Sequence, residues 1–234
     1  IKNIFLKANA SPDGLIDNEK TNWKVDTSGS ITTIMGLETK IRSLVPNIRW
    51  EFRGKVNPSA KQVRINNMGV HLPTAHFTSN GNLEEWGKTA IINASLRLPD
   101  LTPFSEVANI PLKGMVTLDL GATSYDFGNN FESQLSLRTA GLKTGIEIAD
   151  EVSQGLLSFQ GNIKKKVDGA IRLTASKLTL PIGSLAMNAN LKSDKKLMAN
   201  WTLDIPRLAD LSEPLKQDLR GDLVLKGRAF GPMQ

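Results

Sequence analysis

Hydrophobic and polar residues alternate along much of the chain with a period of two, the spacing at which successive side chains of a β-strand reach opposite faces. Leu112, Gly114, Val116, Leu118 and Leu120 interleave with Lys113, Met115, Thr117 and Asp119, and Trp50, Phe52 and Val56 bracket Glu51, Arg53 and Lys55. The same pattern recurs at 131–139, 157–163, 185–191 and 201–205. Turn formers stand between the runs: Asn57-Pro58, Asn80-Gly81, Gly128-Asn129 and Asp168-Gly169. This predicts about fifteen strands, each with one dry and one wet face, joined as an antiparallel meander.

The pattern repeats at long range. Pro99-Asp100-Leu101-Thr102-Pro103-Phe104-Ser105-Glu106 lies over Pro206-Arg207-Leu208-Ala209-Asp210-Leu211-Ser212-Glu213, a shift of about 107 residues. The match continues from Leu112–Leu118 onto Leu219–Leu225, from Phe52-Arg53-Gly54 onto Phe159-Gln160-Gly161, and, with a one-residue slip, from Val70–Pro73 onto Leu178–Pro181. Two units are expected, 1–119 and 120–234, continuous with each other because no Pro/Gly/Ser linker parts them. Helical signal is confined to the repeated segment. Thr102 followed by Pro103 reads as an N-cap and first helical residue, and Leu208, Leu211, Leu215 and Leu219 fall on one helical face, so each unit should carry one short helix.

One-faced strands side by side make a continuous apolar surface that must be covered. A sandwich or closed β-solenoid would bury it within the protein; a curled, half-open sheet would offer it to a hydrophobic ligand. Such a trough needs no polar site residue, because acyl chain burial contributes roughly 0.8 kcal/mol per CH₂. The dry face would include Trp50, Phe52, Val116, Leu118, Leu135, Leu137, Phe159, Leu223 and Leu225.

Composition narrows the chemistry. Hydrophobic residues are 40% of the 234 and charged residues 22%, too apolar for disorder. No apolar run is long enough for a spanning helix, and the first ten residues lack the order of a signal peptide. The chain starts abruptly in what reads as a strand (Ile1, Ile4, Phe5, Leu6) and stops shortly after another, so it reads as a piece of something longer. Without cysteine there is no disulfide, thiolate nucleophile or cysteine-bound metal. The net charge of +6 is spread along the chain, and with Tyr125 the sole tyrosine there is no stacking platform, so nucleic-acid binding is not expected.

No catalytic cluster stands out. Gly81 to Gly87-Lys88-Thr89 has five residues between its glycines where a phosphate-binding loop needs four, and reads as a polar hairpin connection. His71 and His76, the only histidines, stand five residues apart on one expected strand and so point to opposite faces, where they cannot chelate one metal as a local pair. No enzyme activity, cofactor or metal is expected.

The segment Leu96-Arg97-Leu98-Pro99-Asp100-Leu101, a short helical stretch, and Leu112–Leu118 resembles a recurrent unit of the TamB-like proteins, the inner-membrane components of translocation and assembly modules. So do Ala75–Leu83 and the closing Gly221–Pro232. The resemblance implies an all-β fold: an elongated, curled antiparallel sheet, a β-taco-like open groove, with one short helix per repeat. It also implies a periplasmic segment of an inner-membrane-anchored protein that takes phospholipid or another hydrophobic ligand. Its expected roles are lipid transport to the outer membrane and the assembly and secretion of outer-membrane proteins and autotransporters. The family's Omp85-type outer-membrane partner, TamA-like, and its membrane anchor engage regions outside this sequence, so no residue is carried over for either. The alternative is a closed solenoid or sandwich from a surface adhesin or autotransporter passenger, whose repeat would be far shorter than about 107 residues.

Overall fold

The computed structural model describes residues 3–13, 21–32, 44 and 47–232. The described chain is all-β. Its strands are β1 (Asn3–Pro12), β2 (Trp23–Thr32), β3 (Asn47–Asn57), β4 (Gln62–His71), β5 (His76–Glu84), β6 (Thr89–Leu98) and β7 (Lys113–Tyr125). They continue with β8 (Asn130–Lys143), β9 (Ser158–Lys165), β10 (Ile171–Leu180), β11 (Gly183–Leu191), β12 (Lys196–Ile205) and β13 (Leu223–Pro232). Each strand lies beside its neighbours in sequence, in one sheet of order β1 to β13. These are thirteen strands among the described residues rather than the expected fifteen or so.

Two compact units divide within β7: residues 1–99 with 119–129, and residues 100–118 with 130–234. In the first unit, Trp50, Val70, Phe77 and Leu96 stand directly opposite one another across β3 to β6, and Phe52, Met68, Ser79 and Ala94 form the next row. Residues opposite each other in an antiparallel ladder share a face, so the alternation seen in each strand becomes one apolar surface. In the second unit the corresponding row is longer: Leu137, Phe159, Leu178, Leu185, Leu203 and Leu225 run across β8 to β13.

Large rings lie on this surface over glycines that leave them room. A Cβ added at Gly29 would fall 2.1 Å from the Trp50 ring, and one at Gly227 would fall 2.3 Å from Trp201. Phe52 covers Gly54 and Phe159 covers Gly161 in the same manner, at 2.9 and 3.1 Å, so the Phe-x-Gly element serves one purpose in both repeats.

The expected curl is absent: the sheet of each unit is open and does not fold over its own apolar face. Bends in a sheet come from bulges and glycine kinks repeated on successive strands. In the registers of β1 to β6 and of β8 to β13, β4 at Asn66 and β10 at Ala175 carry an extra residue, while β1, β2 and β3, and likewise β11, β12 and β13, pair in unbroken register. Among the described residues neither a sandwich nor a closed solenoid forms within either unit. Leu44, Ala90, Leu101, Ile182 and Ile205 are the buried hydrophobic residues among those described, and no described side chain is buried completely.

The helices are shorter than the sequence pattern predicts. α1 (Ser105–Ala108) follows a 3₁₀ turn at Thr102–Phe104, and α3 (Ser212–Leu215) follows one at Leu208–Leu211. Leu219 lies beyond α3, outside the helical face assigned to it. Thr102 is not the N-cap; its own backbone N–H donates to Asp100 Oδ1 at 2.8 Å. The segment is instead pinned by serine: Ser105 Oγ donates to Leu112 O and accepts from Leu112 N at 3.0 and 2.9 Å, and Ser212 Oγ does the same with Leu219 at 3.2 and 3.0 Å. A further helix, α2 (Glu147–Ser153), was not foreseen from the sequence pattern. It is held by Asp150, whose carboxylate accepts from Thr144 N, Thr144 Oγ1 and Gly145 N at 2.6, 2.9 and 3.0 Å.

Candidate functional site

The candidate site is the apolar face itself. Within the second unit, Leu135, Leu137, Phe159, Leu223 and Leu225 all fall on it: Leu135 opposite Gly161, Leu137 opposite Phe159, Leu225 opposite Leu203 and Leu223 opposite Ile205. Trp50 and Phe52 fall together on the equivalent face of the first unit. Val116 and Leu118 share one side of β7. The Ser95 hydroxyl donates to Asp119 Oδ1 at 2.8 Å, which sets Asp119 on the polar side and Leu118 on the other.

Leu178, Leu185, Leu203 and Trp201 belong to the surface as firmly as the residues singled out from the sequence. They were missed only because the period-two pattern names a strand's dry side without saying which rows align. Among the described residues no protein layer lies on this surface in either unit. Trp50, Phe52, Leu137, Phe159, Leu185 and Leu203 are half-buried, and Leu225 on β13 is exposed. Half-burial comes from neighbouring side chains in the same layer, which is all that a single sheet can supply.

The opposite side of the sheet is polar and carries charge in pairs. Asp13 bonds Lys24 at 2.6 Å and Lys55 at 2.5 Å, and these ammonium groups hold its carboxyl below the usual carboxylate range. Lys164 pairs with Glu132 across β8 and β9. A concavity of about 730 Å³ in the first unit is bordered mostly by amides and cations, among them Asn57, Gln62, Arg64, Asn66, Asn80 and Asn82, with Ile65 and Ile91 beside them. The connection between β5 and β6 is shorter than expected: β5 runs through Asn80-Gly81, read from the sequence as a turn, to Glu84, and only 85–88, with a 3₁₀ turn at Glu85–Gly87, lead to β6 at Thr89.

The two histidines are placed differently from expectation. They lie on two strands, not one. His71 ends β4, His76 begins β5, and the two are directly opposite, with their Nδ1 atoms 3.5 Å apart. The even-separation rule that sent them to opposite faces holds within a strand and does not apply across a hairpin, where facing partners share a side whatever their separation.

An open, single-layer antiparallel sheet with one uncovered apolar face is the class that fold and surface define. No family model, curated protein or solved structure matches the chain.

Proposed function

We propose that the apolar face seats hydrocarbon, and that the chain is a segment of a TamB-like protein conducting phospholipid or holding hydrophobic clients between membranes, without catalysis of its own. The observation that carries this reading is the row Leu137, Phe159, Leu178, Leu185, Leu203 and Leu225, six facing residues on six successive strands with no covering layer. At about 4.8 Å between strands the row extends roughly 24 Å, the length of a long acyl chain. Each CH₂ taken from water contributes roughly 0.8 kcal/mol, so a chain seated over about ten carbons gains around 8 kcal/mol before ordering costs. A continuous greasy row with a polar reverse side suits a ligand that is long, apolar and not recognised by its chemistry. The periplasmic setting, the inner-membrane anchor and the Omp85-type partner follow from the sequence resemblance and belong to the same proposal.

The test is a photo-crosslinking residue at Leu185 or Leu203 in cells. Labelled phospholipid is the expected product; adducts only to the chain's own side chains would sink the reading. Leu185→Arg, which places a charge in the middle of the row, should abolish the lipid adduct at Leu203.

A further inference from the structure

We infer that His71 and His76 form a chelating site for a borderline transition-metal ion, such as Zn²⁺, Ni²⁺ or Cu²⁺, on the polar side of the β4–β5 hairpin. With metal–nitrogen bonds of about 2.0–2.1 Å and a tetrahedral angle, two ligand nitrogens stand about 3.4 Å apart. The imidazole Nδ1 atoms are 3.5 Å apart, with ring centroids at 5.7 Å and planes inclined by 56°. The spacing therefore exists before any ion arrives and the backbone enforces it; the two nitrogens face each other within hydrogen-bond distance, and a modest turn of each ring aims both lone pairs at one ion. His71 and His76 are register partners in the ladder, and beyond them Leu72 and Ala75 exchange N–H···O bonds of 2.8 and 3.3 Å that close the turn.

His71 is half-buried and His76 exposed, so solvent reaches the pair. Glu51 lies on the same side of the neighbouring strand. Its Oε1 and His71 Nε2 flank the space over Gly69, 3.3 and 2.9 Å from where a Cβ would sit, so the glycine makes room for both. Glu51 Oε1 accepts from Asn67 Nδ2 at 2.7 Å, which fixes the carboxylate beside the imidazole.

Arg49 stands opposite His71 and Arg97 opposite His76, so two guanidiniums end the cross-strand row. They oppose hard dications held by charge alone, such as Mg²⁺ or Ca²⁺, and leave ions that bind imidazole strongly. Among the described residues no set of three His, Asp or Glu side chains is gathered to hold an ion, so water or a small anion completes the coordination.

The experiment is calorimetric titration of the full chain with ZnCl₂ and with CuCl₂ in a phosphate-free, non-chelating buffer. One ion per chain is expected, Cu²⁺ the tighter, with the imidazole resonances of both histidines shifting together. His71→Asn and His76→Asn should each weaken binding by more than tenfold. The pair Thr179 and Ser184 occupies the matching place in the second repeat's hairpin. Thr179→His with Ser184→His should therefore create a second site of similar affinity, and His71→Thr with His76→Ser should erase the first while leaving circular dichroism unchanged. No binding, or binding lost with one histidine and not the other, overturns the inference. So does an Arg49→Gln variant that binds metal no better while losing affinity for inorganic phosphate, because that would mark the row as an anion site.

Discussion

The hairpin joining β4 to β5 and the hairpin joining β10 to β11 are built on one turn and differ in what they hold beside it. Leu72-Pro73-Thr74-Ala75 and Leu180-Pro181-Ile182-Gly183 close the two, with Thr74 and Ile182 buried at the same place in each. The adjoining cross-strand row is Arg49, His71, His76 and Arg97 in the first and Ser158, Thr179, Ser184 and Asp204 in the second. The apolar rows on the reverse side are kept in both. Duplicated sheet thus retains its dry face and its turn, which packing and backbone geometry require, while the wet face is free to acquire charge and chemistry.

The sharpest way to break the equivalence of the repeats lies at Gly114 and Gly221. Both have positive φ, 101° and 92°, and both accept a hydrogen bond at 2.8 Å, from Leu101 N and Leu208 N. A Cβ at Gly114 would fall 2.5 Å from the Gly141 backbone, whereas one at Gly221 would meet nothing. Gly114→Ala should cost about 4 kcal/mol, from left-handed strain plus backbone overlap, and Gly221→Ala about 1 kcal/mol, from strain alone. Denaturant midpoints of the two variants measure the gap; equal losses would mean that the contact with Gly141 carries no weight.

Next in size are the rings over glycine. Phe52→Ala and Phe159→Ala should each cost about 2 kcal/mol, since both rings are half-buried and cover the glycine two residues on. Losses that differ by more than about 1 kcal/mol would show that the Phe-x-Gly element is not doing the same job twice. Smaller still, Ser105→Ala and Ser212→Ala should each remove about 1 kcal/mol, read as faster amide exchange at Leu112 and Leu219, whose N–H groups lose their acceptors.

The smallest effect is local and set by pH. Asp150 is held below the usual carboxylate range first by the Thr144 N–H, and also by the Thr144 hydroxyl and Gly145 N–H. A carboxylate with a depressed folded-state pKa contributes stability that is complete above its unfolded value, about 3.9, and is lost as pH falls through the folded value. Below pH 4 the connection between β8 and α2 should therefore loosen, with Thr144 and Gly145 amides exchanging faster than the base-catalysed trend predicts. Asp150→Asn should abolish that added acid sensitivity.

How much of this was legible in the sequence differs by element. β5 begins at His76 and β11 at Gly183, and β6 and β12 run from Thr89 to Leu98 and from Lys196 to Ile205, a shift of about 107 residues that the matched segments had already revealed. Strand positions and their dry sides follow from alternation, which each strand writes into itself. The length of α1 and α3 was overread, because leucines at helical spacing also suit a 3₁₀ turn followed by an extended segment. Leu219 is such a case, pinned by Ser212 rather than by a helix. α2 escaped notice because its defining feature is a carboxylate reaching back across a turn, and that contact exists only once Thr144 and Gly145 are in place.

The amino-acid order determined that this chain is a repeated series of one-faced strands, since hydrophobic periodicity is a local property and survives in any tertiary arrangement. Only the folded sheet decided which residues meet. Register across a turn put His71 against His76, lined six apolar residues into a single row, and laid Trp50 and Trp201 over glycines on neighbouring strands. It also decided that the sheet stays open, because curling depends on bulges repeated from strand to strand, and from β1 to β3 and from β11 to β13 the strands pair in unbroken register.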